Sequence, residues 1–531
     1  MRSQPLVLLQ PVEAFLHLIH TQRVEISGRQ GVAGEGIAAQ AVAAQGIAAE
    51  AITAALHRVS PRFQRPTVTL RSVLIYGAVL ALWIAVLIGA WFAHGIFAWT
   101  VGLLYVIYDT WLLVYVAGKT SFILRPSQPF AADTTTDKLI PSLGVIIAAY
   151  DEAPALPSTL DALLPQLLPH DVLLVVDDGS ADDTVRMLES RFGVEWQADS
   201  RLGISTRYSS LHVWRNPHGG KSRALNAGLA YLQTDLVVTI DADTKLASDA
   251  LRALRTAFAA EPAMVGACCV IRPVCAPSWF SGFFQWFQTY EYIRAFCSRI
   301  AWMRADSLLL VSGAFAGFRR SAVLDVGGFD PECLVEDYEL IHRLHRYSCD
   351  NGLGWRIRVL SAPRAVTDAP GSLGSFLRQR RRWFAGFLQT QYWNCDMTFN
   401  GRYGNVGRWM LPIKAIDTMQ PIFGLTAFVL VVVFASLGRL GIVIPVLIVI
   451  GTKIVIDVGF HLWWVHLYGR WTGQRASPGG FGMALLSALA EPFSFQLMRH
   501  LGASWGWVSF LTRRHHWGAT ASVSMSEVDV R

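Results

Sequence analysis

The chain has 531 residues, of which 52% are hydrophobic and 16% are charged. Because soluble domains average about a quarter charged residues, this composition is too apolar for a soluble fold alone and predicts membrane segments beside a sizeable domain. The formal net charge is +7, but much of the basic charge flanks the hydrophobic segments, where it orients them in a membrane. We therefore predict no nucleic-acid partner.

Residues 1–66 form a low-complexity N-terminal segment. Apolar residues repeat every five positions between residues 36 and 55, and a five-residue step turns about 140° around a helix, so they do not form one stripe. We predict at most a loose helix there and assign it no function. The first clear apolar run starts only near residue 72, so the segment does not begin with a secretory signal.

Five apolar stretches are each about 18 residues or longer, which is the length of a membrane-spanning helix. The last contains Glu491, Arg499 and His500, so it is predicted to be a spanning or an interfacial helix. We predict two transmembrane helices in residues 67–120, two to three in residues 401–511, and a C-terminal tail in residues 512–531. The stretches are 72–93, 96–117, 421–438, 441–468 and 481–511.

Basic residues beside these stretches set their expected orientation. By the positive-inside rule they face the cytoplasm, so residues 121–400 are predicted to be a cytoplasmic domain with interfacial helices, in a multi-pass protein of the cell (inner) membrane. All seven cysteines lie in this region, and we expect them to be reduced packing residues. The flanking residues are Arg58, Arg62, Arg65, Arg71, Lys119, Arg125, Arg470 and Arg475.

Short apolar runs alternate with helix-like stretches after residue 140. This alternation predicts an α/β domain with a mostly parallel sheet and helices on both faces. Ligands of such sheets bind beyond the carboxyl ends of the strands, which is where acidic residues cluster in this chain. The predicted strands are 143–150, 171–179 and 235–244, and the predicted helices are 156–168, 182–192 and 221–232.

Two acidic pairs end predicted strands. Asp177 and Asp178 are followed by Gly179, and because these are ordinary turn residues, a structural role explains them equally well. Asp241 and Asp243 point to the same side of an extended chain, where they repel each other unless a cation is present. Mg²⁺ takes oxygen ligands and commonly bridges to substrate phosphates, so the second pair favours a metal site.

Two further groups lie at predicted helix starts. Lys221 and Arg223 follow a Gly-Gly turn, an arrangement suited to phosphate, although a solvated helix end explains them equally well on their own. Together with the flanking acids they indicate a nucleotide diphosphate. Glu336 and Asp337 open another helix, where the helix dipole favours acids in any case. The alternative is that an aspartate there acts as general base on an incoming hydroxyl.

The order of the motifs is more specific than any one of them. The chain contains, in sequence, AAYDEA, DDGS, HGGKSRALNAG, DADT, SGAFAGFRR, VEDYEL and QRRRW. This series resembles the processive family-2 glycosyltransferases, the membrane synthases of cellulose, chitin, hyaluronan and poly-N-acetylglucosamine, over about residues 140–390. The resemblance implies a GT-A type nucleotide-sugar-binding domain embedded between transmembrane α-helices.

The resemblance also implies roles for individual residues. Asp241 and Asp243 would hold the nucleotide diphosphate and its Mg²⁺ or Mn²⁺, with Lys221 and Arg223 nearby. Asp337 matches the catalytic base of an inverting hexosyltransferase, which deprotonates the acceptor hydroxyl as UDP leaves. The chain departs from the family pattern at Asp151, where Asn is more usual, and at Val335, where Thr or Ser is usual. The residues expected to line the uridine pocket are Tyr150, Glu152, Asp177 and Asp178.

Gln379, Arg382 and Trp383 match the family's Q-x-x-R-W signature. On a helix these three lie on one face, where the indole can stack on an acceptor sugar and the guanidinium can pair with phosphate or a carboxylate. The alternative for the tryptophan is an interfacial membrane anchor. Arg380 and Arg381 point elsewhere and are expected to contact lipid headgroups or solvent. Gly386 lies on the signature face and is expected to leave room there.

The predicted function is processive, inverting transfer from a UDP-sugar to a growing β-linked polysaccharide, which is passed across the lipid bilayer. UDP-GlcNAc is the first choice of donor and UDP-glucose the second, and accessory export subunits are compatible with this function. A non-processive glycolipid transferase is less favoured because of the Q-x-x-R-W signature. An inactive membrane scaffold predicts loss of a site carboxylate, and none is missing.

Overall fold

The computed structural model describes residues 34–64, 68–92, 100–125, 140–197, 200–473 and 480–512. Residues 1–33 of the predicted N-terminal segment lie outside these ranges. The same is true of residues 126–139, near the start of the predicted cytoplasmic domain, and of residues 513–531 in the predicted tail.

Ten strands within the described residues form one sheet. They are β1 (Leu143–Ala149), β2 (Val172–Asp177), β3 (Val194–Trp196), β4 (Leu202–Ser205), β5 (Leu211–Arg215), β6 (Leu236–Asp241), β7 (Thr244–Leu246), β8 (Met264–Cys275), β9 (Phe315–Arg319) and β10 (Arg356–Ala369). Their order in the sheet is β3-β4-β5-β2-β1-β6-β9-β8-β10-β7. The three predicted strands are present as β1, β2 and β6.

The sheet is mixed, with the predicted parallel arrangement at its centre and antiparallel strands that the sequence pattern did not predict. The central strands β5, β2, β1 and β6 are parallel, but β9 runs antiparallel between β6 and β8. Strands β3 to β5 form an antiparallel edge. The alternation of strands and helices in the sequence identified only β1, β2 and β6. Antiparallel strands need no helix between them, only a reversal of the chain, so this alternation does not reveal them. Strand β1 is buried along almost its whole length, so both faces of the sheet are covered there.

Sixteen α-helices lie within the described residues. They are α1 (Gly34–Val59), α2 (Leu70–Phe92), α3 (Thr100–Thr120), α4 (Leu156–Leu163), α5 (Thr184–Phe192), α6 (Lys221–Tyr231), α7 (Ala250–Ala260), α8 (Ser281–Arg304), α9 (Arg320–Asp325), α10 (Glu336–Asn351), α11 (Leu373–Trp393), α12 (Leu411–Asp417), α13 (Gln420–Ser436), α14 (Leu440–Thr472), α15 (Gly480–Ala490) and α16 (Phe495–Leu511). The three helices predicted between the strands are present as α4, α5 and α6. Helix α10 begins at Glu336, as predicted.

The N-terminal segment contains a full helix rather than a loose one. Helix α1 packs on α6 and α9 of the domain and buries Ile52, Ala55 and Leu56. These three residues are one or three to four positions apart, so they lie on one face of the helix. The five-residue repeat does not reveal this buried face, because only the last residues of the repeat belong to it.

In the part of the chain that the structure describes, two helical stretches are long and apolar enough to cross a membrane, Val406–Ser436 and Leu440–Thr472. The last predicted segment consists of α15 and α16, bent by 48° at a short break, so the pair is a broken span or a re-entrant loop. The described apolar part of α2, Leu70–Ala85, is shorter than a span. That α2 and α3 cross the membrane therefore stays a prediction.

Helix α16 packs against α11 through two glycines that are four residues apart. A Cβ added to Gly502 would lie 2.7 Å from the Cβ of Arg380, and one added to Gly506 would lie 2.7 Å from the Cβ of Phe384. Because both separations are far below van der Waals contact, only glycine lets the two helices approach so closely. Small residues at this spacing serve the same purpose between membrane helices.

We expect Gly506→Ala to lower the thermal unfolding midpoint, because the added methyl group pushes α16 away from α11 at a cost of about 1–3 kcal/mol. The matched control is Gly482→Ala on the neighbouring α15, where an added Cβ meets no atom within 4 Å. Unfolding of the full chain in detergent, followed by circular dichroism, measures both. Equal midpoints for the two variants would contradict the close packing of α11 and α16.

Candidate active site

The predicted site residues meet at the carboxyl edge of the central strands. Ala149, the last residue of β1, is paired with Asp177 at the end of β2, and Ala148 is paired with Asp241 at the end of β6. Because the three strands are parallel, the side chains that follow them share one edge of the sheet. Tyr150 follows β1 directly and is partly exposed at this edge.

Lys221 lies among carboxylates from two other elements. Its Nζ is 2.6 Å from Oδ1 of Asp241 and 3.2 Å from Oε1 of Glu336. Burial alone would lower the pKa of Lys221, but the attraction of these two carboxylates raises it above its usual value. The ammonium therefore stays charged and links the end of β6 to the start of α10.

Asp243 lies in strongly acidic surroundings. Burial, followed by repulsion from Asp241, Glu152 and Asp368, raises the pKa of Asp243 well above its usual value. Burial also raises the pKa of Asp368 to about 6. Asp368 is not among the predicted site residues, although its position as an acid near the end of strand β10 is the signal that the sequence offers for it.

This acidic cluster fits a divalent cation. Carboxylates that raise one another's pKa are stabilised by a positive charge, and the carboxylate oxygens of Asp241 and Asp243 are of the kind that Mg²⁺ and Mn²⁺ prefer as ligands. Within the described ranges no three His, Cys, Asp or Glu side chains are arranged to hold an ion on their own. An ion bound by the two aspartates would thus complete its coordination with phosphate or water oxygens.

Asp337 is held by two backbone N–H groups. Its Oδ2 accepts a hydrogen bond from Gly313 at 2.7 Å, and its Oδ1 accepts one from Tyr338 at 2.8 Å. Burial and the neighbouring Glu336 raise the pKa of Asp337 to about 6, although Lys221 and both hydrogen bonds act in the opposite direction. A carboxylate with this pKa is ionised at neutral pH and is a stronger base than an ordinary aspartate.

The two strand-ending aspartates have structural partners. Asp178 is buried, and its carboxylate accepts hydrogen bonds from the backbone N–H groups of Gly219 at 3.0 Å and Gly220 at 2.8 Å. It therefore fixes the turn that begins α6 and, with it, the position of Lys221. Asp177 accepts a hydrogen bond from the backbone of Ser180 at 3.1 Å.

The conformation of Asp151 explains why an aspartate can replace the asparagine that is usual at this position. It has a left-handed φ of 56°, which asparagine and aspartate adopt more readily than other non-glycine residues. Its Oδ1 accepts hydrogen bonds from the backbone N–H groups of Ala181 at 2.8 Å and Asp182 at 3.2 Å. Because the side-chain oxygen of asparagine can do the same, the exchange preserves this loop.

The two predicted basic residues take different positions. Lys221 points into the carboxylate cluster, whereas Arg223 is exposed and lies beside Gly219. Tyr150 packs against the imidazole of His218 with ring centroids 4.4 Å apart. The uridine and phosphate roles of Tyr150 and Arg223 stay predictions, and so does that of Glu152.

The signature residues Gln379, Arg382 and Trp383 lie on α11, next to the loop before α10. Arg382 donates a hydrogen bond to the carbonyl of Leu334 at 3.2 Å. The room expected at Gly386 is filled, because a Cβ there would lie 2.5 Å from Cγ2 of Val335. That part of the prediction is wrong, since the glycine serves the packing of α11 against the residue before the acidic pair.

Arg380 is buried, so the expectation of headgroup or solvent contact is wrong for it. Its guanidinium forms two hydrogen bonds with Glu291, at 2.9 and 2.6 Å. It also lies 4.5 Å from the ring centroid of Trp383 and 4.6 Å from that of Phe376. Packing of α16 against α11 covers this face of the helix, which helical geometry alone does not reveal. Arg381 lies over the ring of Trp505 on α16.

Two family descriptions match the chain. Residues 144–327 match "Glycosyl transferase family 2", and residues 236–467 match "Glycosyl transferase family group 2". The first match contains the strand-ending aspartates and Lys221. The second extends from the start of β6 through Asp337 and the Q-x-x-R-W signature into α14.

Curated relatives include two poly-beta-1,6-N-acetyl-D-glucosamine synthases. The one from Staphylococcus epidermidis (strain ATCC 35984) is 24% identical over 286 residues, which are 52% of this chain and 63% of that protein. The one from Staphylococcus aureus (strain COL) is 27% identical over 285 residues, again 52% of this chain and 63% of that protein. The chain thus spans less than two thirds of the length of these relatives.

A solved structure shares the fold. It is the mannosyltransferase PcManGT from Pyrobaculum calidifontis in complex with GDP-Man and Mn²⁺, with a TM-score of 0.50 and 18% identity. The similarity covers 74% of this chain and 98% of the mannosyltransferase chain. The predicted GT-A type fold is therefore confirmed.

We expect Arg380→Met to destabilise the chain by about 2–3 kcal/mol, because it removes two charge-assisted hydrogen bonds from the half-buried carboxylate of Glu291 and leaves it only Arg499, 3.7 Å away. The matched variant Arg381→Met removes the next arginine on α11 and is expected to cost less than about 1 kcal/mol. Thermal unfolding in detergent compares the two. Equal losses of stability would contradict the role assigned to the Arg380–Glu291 pair.

Proposed function

We propose that this chain, whose residues 144–327 match "Glycosyl transferase family 2", transfers N-acetylglucosamine from UDP-GlcNAc to a growing β-linked polysaccharide. The observation that carries the proposal is the convergence of Asp241, Lys221, Glu336 and Asp337 at one edge of the sheet. The names of the two curated relatives support GlcNAc as the transferred sugar.

The donor diphosphate would bind beside Asp241 and Asp243 through a divalent cation. Mn²⁺ in the structurally similar mannosyltransferase complex supports such an ion, and Mg²⁺ has the same preference for oxygen ligands. When bound, the ion supplies positive charge that neutralises the leaving diphosphate. Lys221 adds a second positive charge at the same place, fixed before the reaction begins.

Asp337 would act as the general base. It takes the proton of the acceptor hydroxyl while that oxygen forms a bond to the anomeric carbon of the donor sugar. The bond from this carbon to the UDP oxygen breaks, and UDP leaves with the electron pair, so the configuration inverts. The N–H groups of Gly313 and Tyr338 hold the carboxylate in place, which removes the need to orient it during the reaction.

The acceptor chain would end near Gln379, Arg382 and Trp383, where the indole offers an apolar face for a sugar ring. The guanidinium of Arg380 lies over that ring system and holds it. We further propose that Val406–Ser436 and Leu440–Thr472 cross the cell membrane, with the catalytic domain in the cytoplasm. Processive elongation would then pass the polymer through these helices, with or without accessory export subunits.

The donor and product are tested together with membranes that contain the full chain. Radiolabelled UDP-GlcNAc and UDP-glucose are supplied in parallel, and the product is digested with linkage-specific glycosidases. We expect a long β-linked polymer from UDP-GlcNAc. Incorporation from UDP-glucose alone would overturn the choice of donor, and transfer of a single sugar to lipid would overturn processivity.

We expect Asp337→Asn to abolish polymer synthesis while UDP still binds, because asparagine has nearly the same size and shape but cannot take a proton. In the unmodified chain kcat/KM should rise with pH through about 6, where the base becomes ionised. Asp350→Asn on the same helix is the control and should retain both activity and pH profile. Appreciable synthesis by Asp337→Asn would remove this residue as the base.

Replacing both Asp241 and Asp243 with Asn is expected to eliminate the part of UDP binding that depends on Mg²⁺ or Mn²⁺, because the amide oxygens carry no charge to hold the ion. Calorimetric titration of UDP with and without the metal measures this difference. Asp161→Asn, at an exposed aspartate of α4 paired with Arg191, is the control. Unchanged metal-dependent binding in the double variant would exclude the two aspartates as metal ligands.

A further inference from the structure

The N-terminal strap, residues 34–64, docks on the catalytic domain although it precedes both family matches. Its helix α1 turns Ile52 and Leu56 inward, with 3% and 4% of their surfaces exposed. Arg62, just beyond the helix, also reaches the domain. Burial of two large apolar residues, together with the pairing of Arg62 with a buried carboxylate of the domain, makes this a specific contact.

Helix α1 lies directly against the backbone of a double-glycine loop. A Cβ on Gly327 would lie 2.1 Å from the backbone nitrogen of Leu56, and one on Gly328 would lie 2.9 Å from Cγ2 of Ile52. Both glycines have left-handed φ values, 85° and 66°, which strain other residues. Glycine is therefore the residue type that both adopts the backbone conformation of this loop and leaves room for helix α1.

The same loop is hydrogen-bonded to both α6 and α10, the two helices whose first residues lie in the candidate site. Asn226 of α6 donates a hydrogen bond to the carbonyl of Phe329 at 2.7 Å and accepts one from its N–H at 2.8 Å. Arg343 of α10 donates to the carbonyl of Gly328 at 2.7 Å. Helix α6 begins with Lys221, and α10 begins with Glu336. A contact that fixes this loop therefore fixes the relative position of the ammonium and the carboxylates.

Arg62 completes the contact with a bidentate ion pair. Its Nε and Nη2 each lie 2.9 Å from an oxygen of Asp330, whose side chain is fully buried. Asp330 also accepts a hydrogen bond from the backbone N–H of Glu332 at 3.0 Å. It lies in the short loop that leads from the double glycine to Asp337, so its position bears on that of the proposed base.

We propose that the strap is a positioning element of the catalytic site, with Arg62 as its positioning residue. The Arg62–Asp330 pair and the contact of α1 with Gly327 and Gly328 hold α6 and α10 in the arrangement that places Lys221 beside Glu336. This inference rests on the proposed function, since the residues so positioned are those assigned to the diphosphate and to the base.

The test uses the full chain in nanodiscs and compares Arg62→Met with Arg58→Met, which removes an exposed arginine of the same strap. We expect Arg62→Met to lower kcat with UDP-GlcNAc by about tenfold or more, because a small displacement of catalytic groups is costly. The KM and the Kd for UDP should change by less than about threefold. Arg58→Met should behave like the unmodified chain.

Two further variants separate positioning from a loss of folding. Arg62→Lys keeps the charge but not the bidentate geometry, and it should lose less activity than Arg62→Met. Adding Asp330→Asn to Arg62→Met removes the orphaned buried charge and should restore the unfolding midpoint, while kcat stays low because the pair that holds the loop is still missing. The proposal is overturned if Arg62→Met retains the kcat of Arg58→Met, or if the double variant regains the full kcat.

Hydrogen exchange distinguishes failure of this inference from failure of the proposed function. If the unmodified chain makes no polymer from UDP-GlcNAc, the proposed function fails, but the strap can still be assessed without substrate. We expect faster exchange of the amides in residues 327–338 and at the start of α6 in Arg62→Met, because local opening becomes easier. Identical exchange in Arg62→Met and Arg58→Met would overturn the positioning role.

Discussion

The geometry of the site depends on the ion pairs that the ammonium group of Lys221 makes with Asp241 and Glu336. Asp241 and Glu336 come from a strand and a helix that are almost 100 residues apart in the chain, and their charges repel each other. The lysine between them turns that repulsion into a bridge. Its own place is fixed by Asp178, which holds the Gly219–Gly220 turn. Because ion pairs add little net stability whether they are exposed or buried, this arrangement is better explained by chemistry than by folding.

Helix α11 ties the site to the apolar part of the chain. One of its faces is pressed against Val335, the residue before the acidic pair, at Gly386. Another is pressed against α16 at Gly502 and Gly506. With near-backbone contact on both sides, the helix cannot shift without moving its neighbours. A displacement of α16 would therefore reach the signature tryptophan and the loop before Asp337 through one rigid element.

Local patterns predicted much of the fold and of the site. Strands β1, β2 and β6, the helices between them and the start of α10 follow from hydrophobic runs and turn residues, and the acids at the strand ends meet as expected. The mixed order of the sheet could not be predicted, because pairing between distant strands leaves no periodic signal. The burial of Arg380 and the ion pair of Arg62 with Asp330, 268 residues away, escaped for the same reason. The environment of each of these side chains depends on which distant element packs against it, and the residues next to it in the sequence do not contain that information.

The docking of α1 also constrains how the chain can be threaded. Since the strap and the catalytic domain touch through Arg62 and Asp330, residue 64 and residue 140 must lie on the same side of any bilayer the protein enters. The chain between them can therefore cross only an even number of times. The even number of crossings follows from a single contact and does not depend on the distribution of basic residues. It is therefore an independent geometric condition on the insertion of α2 and α3.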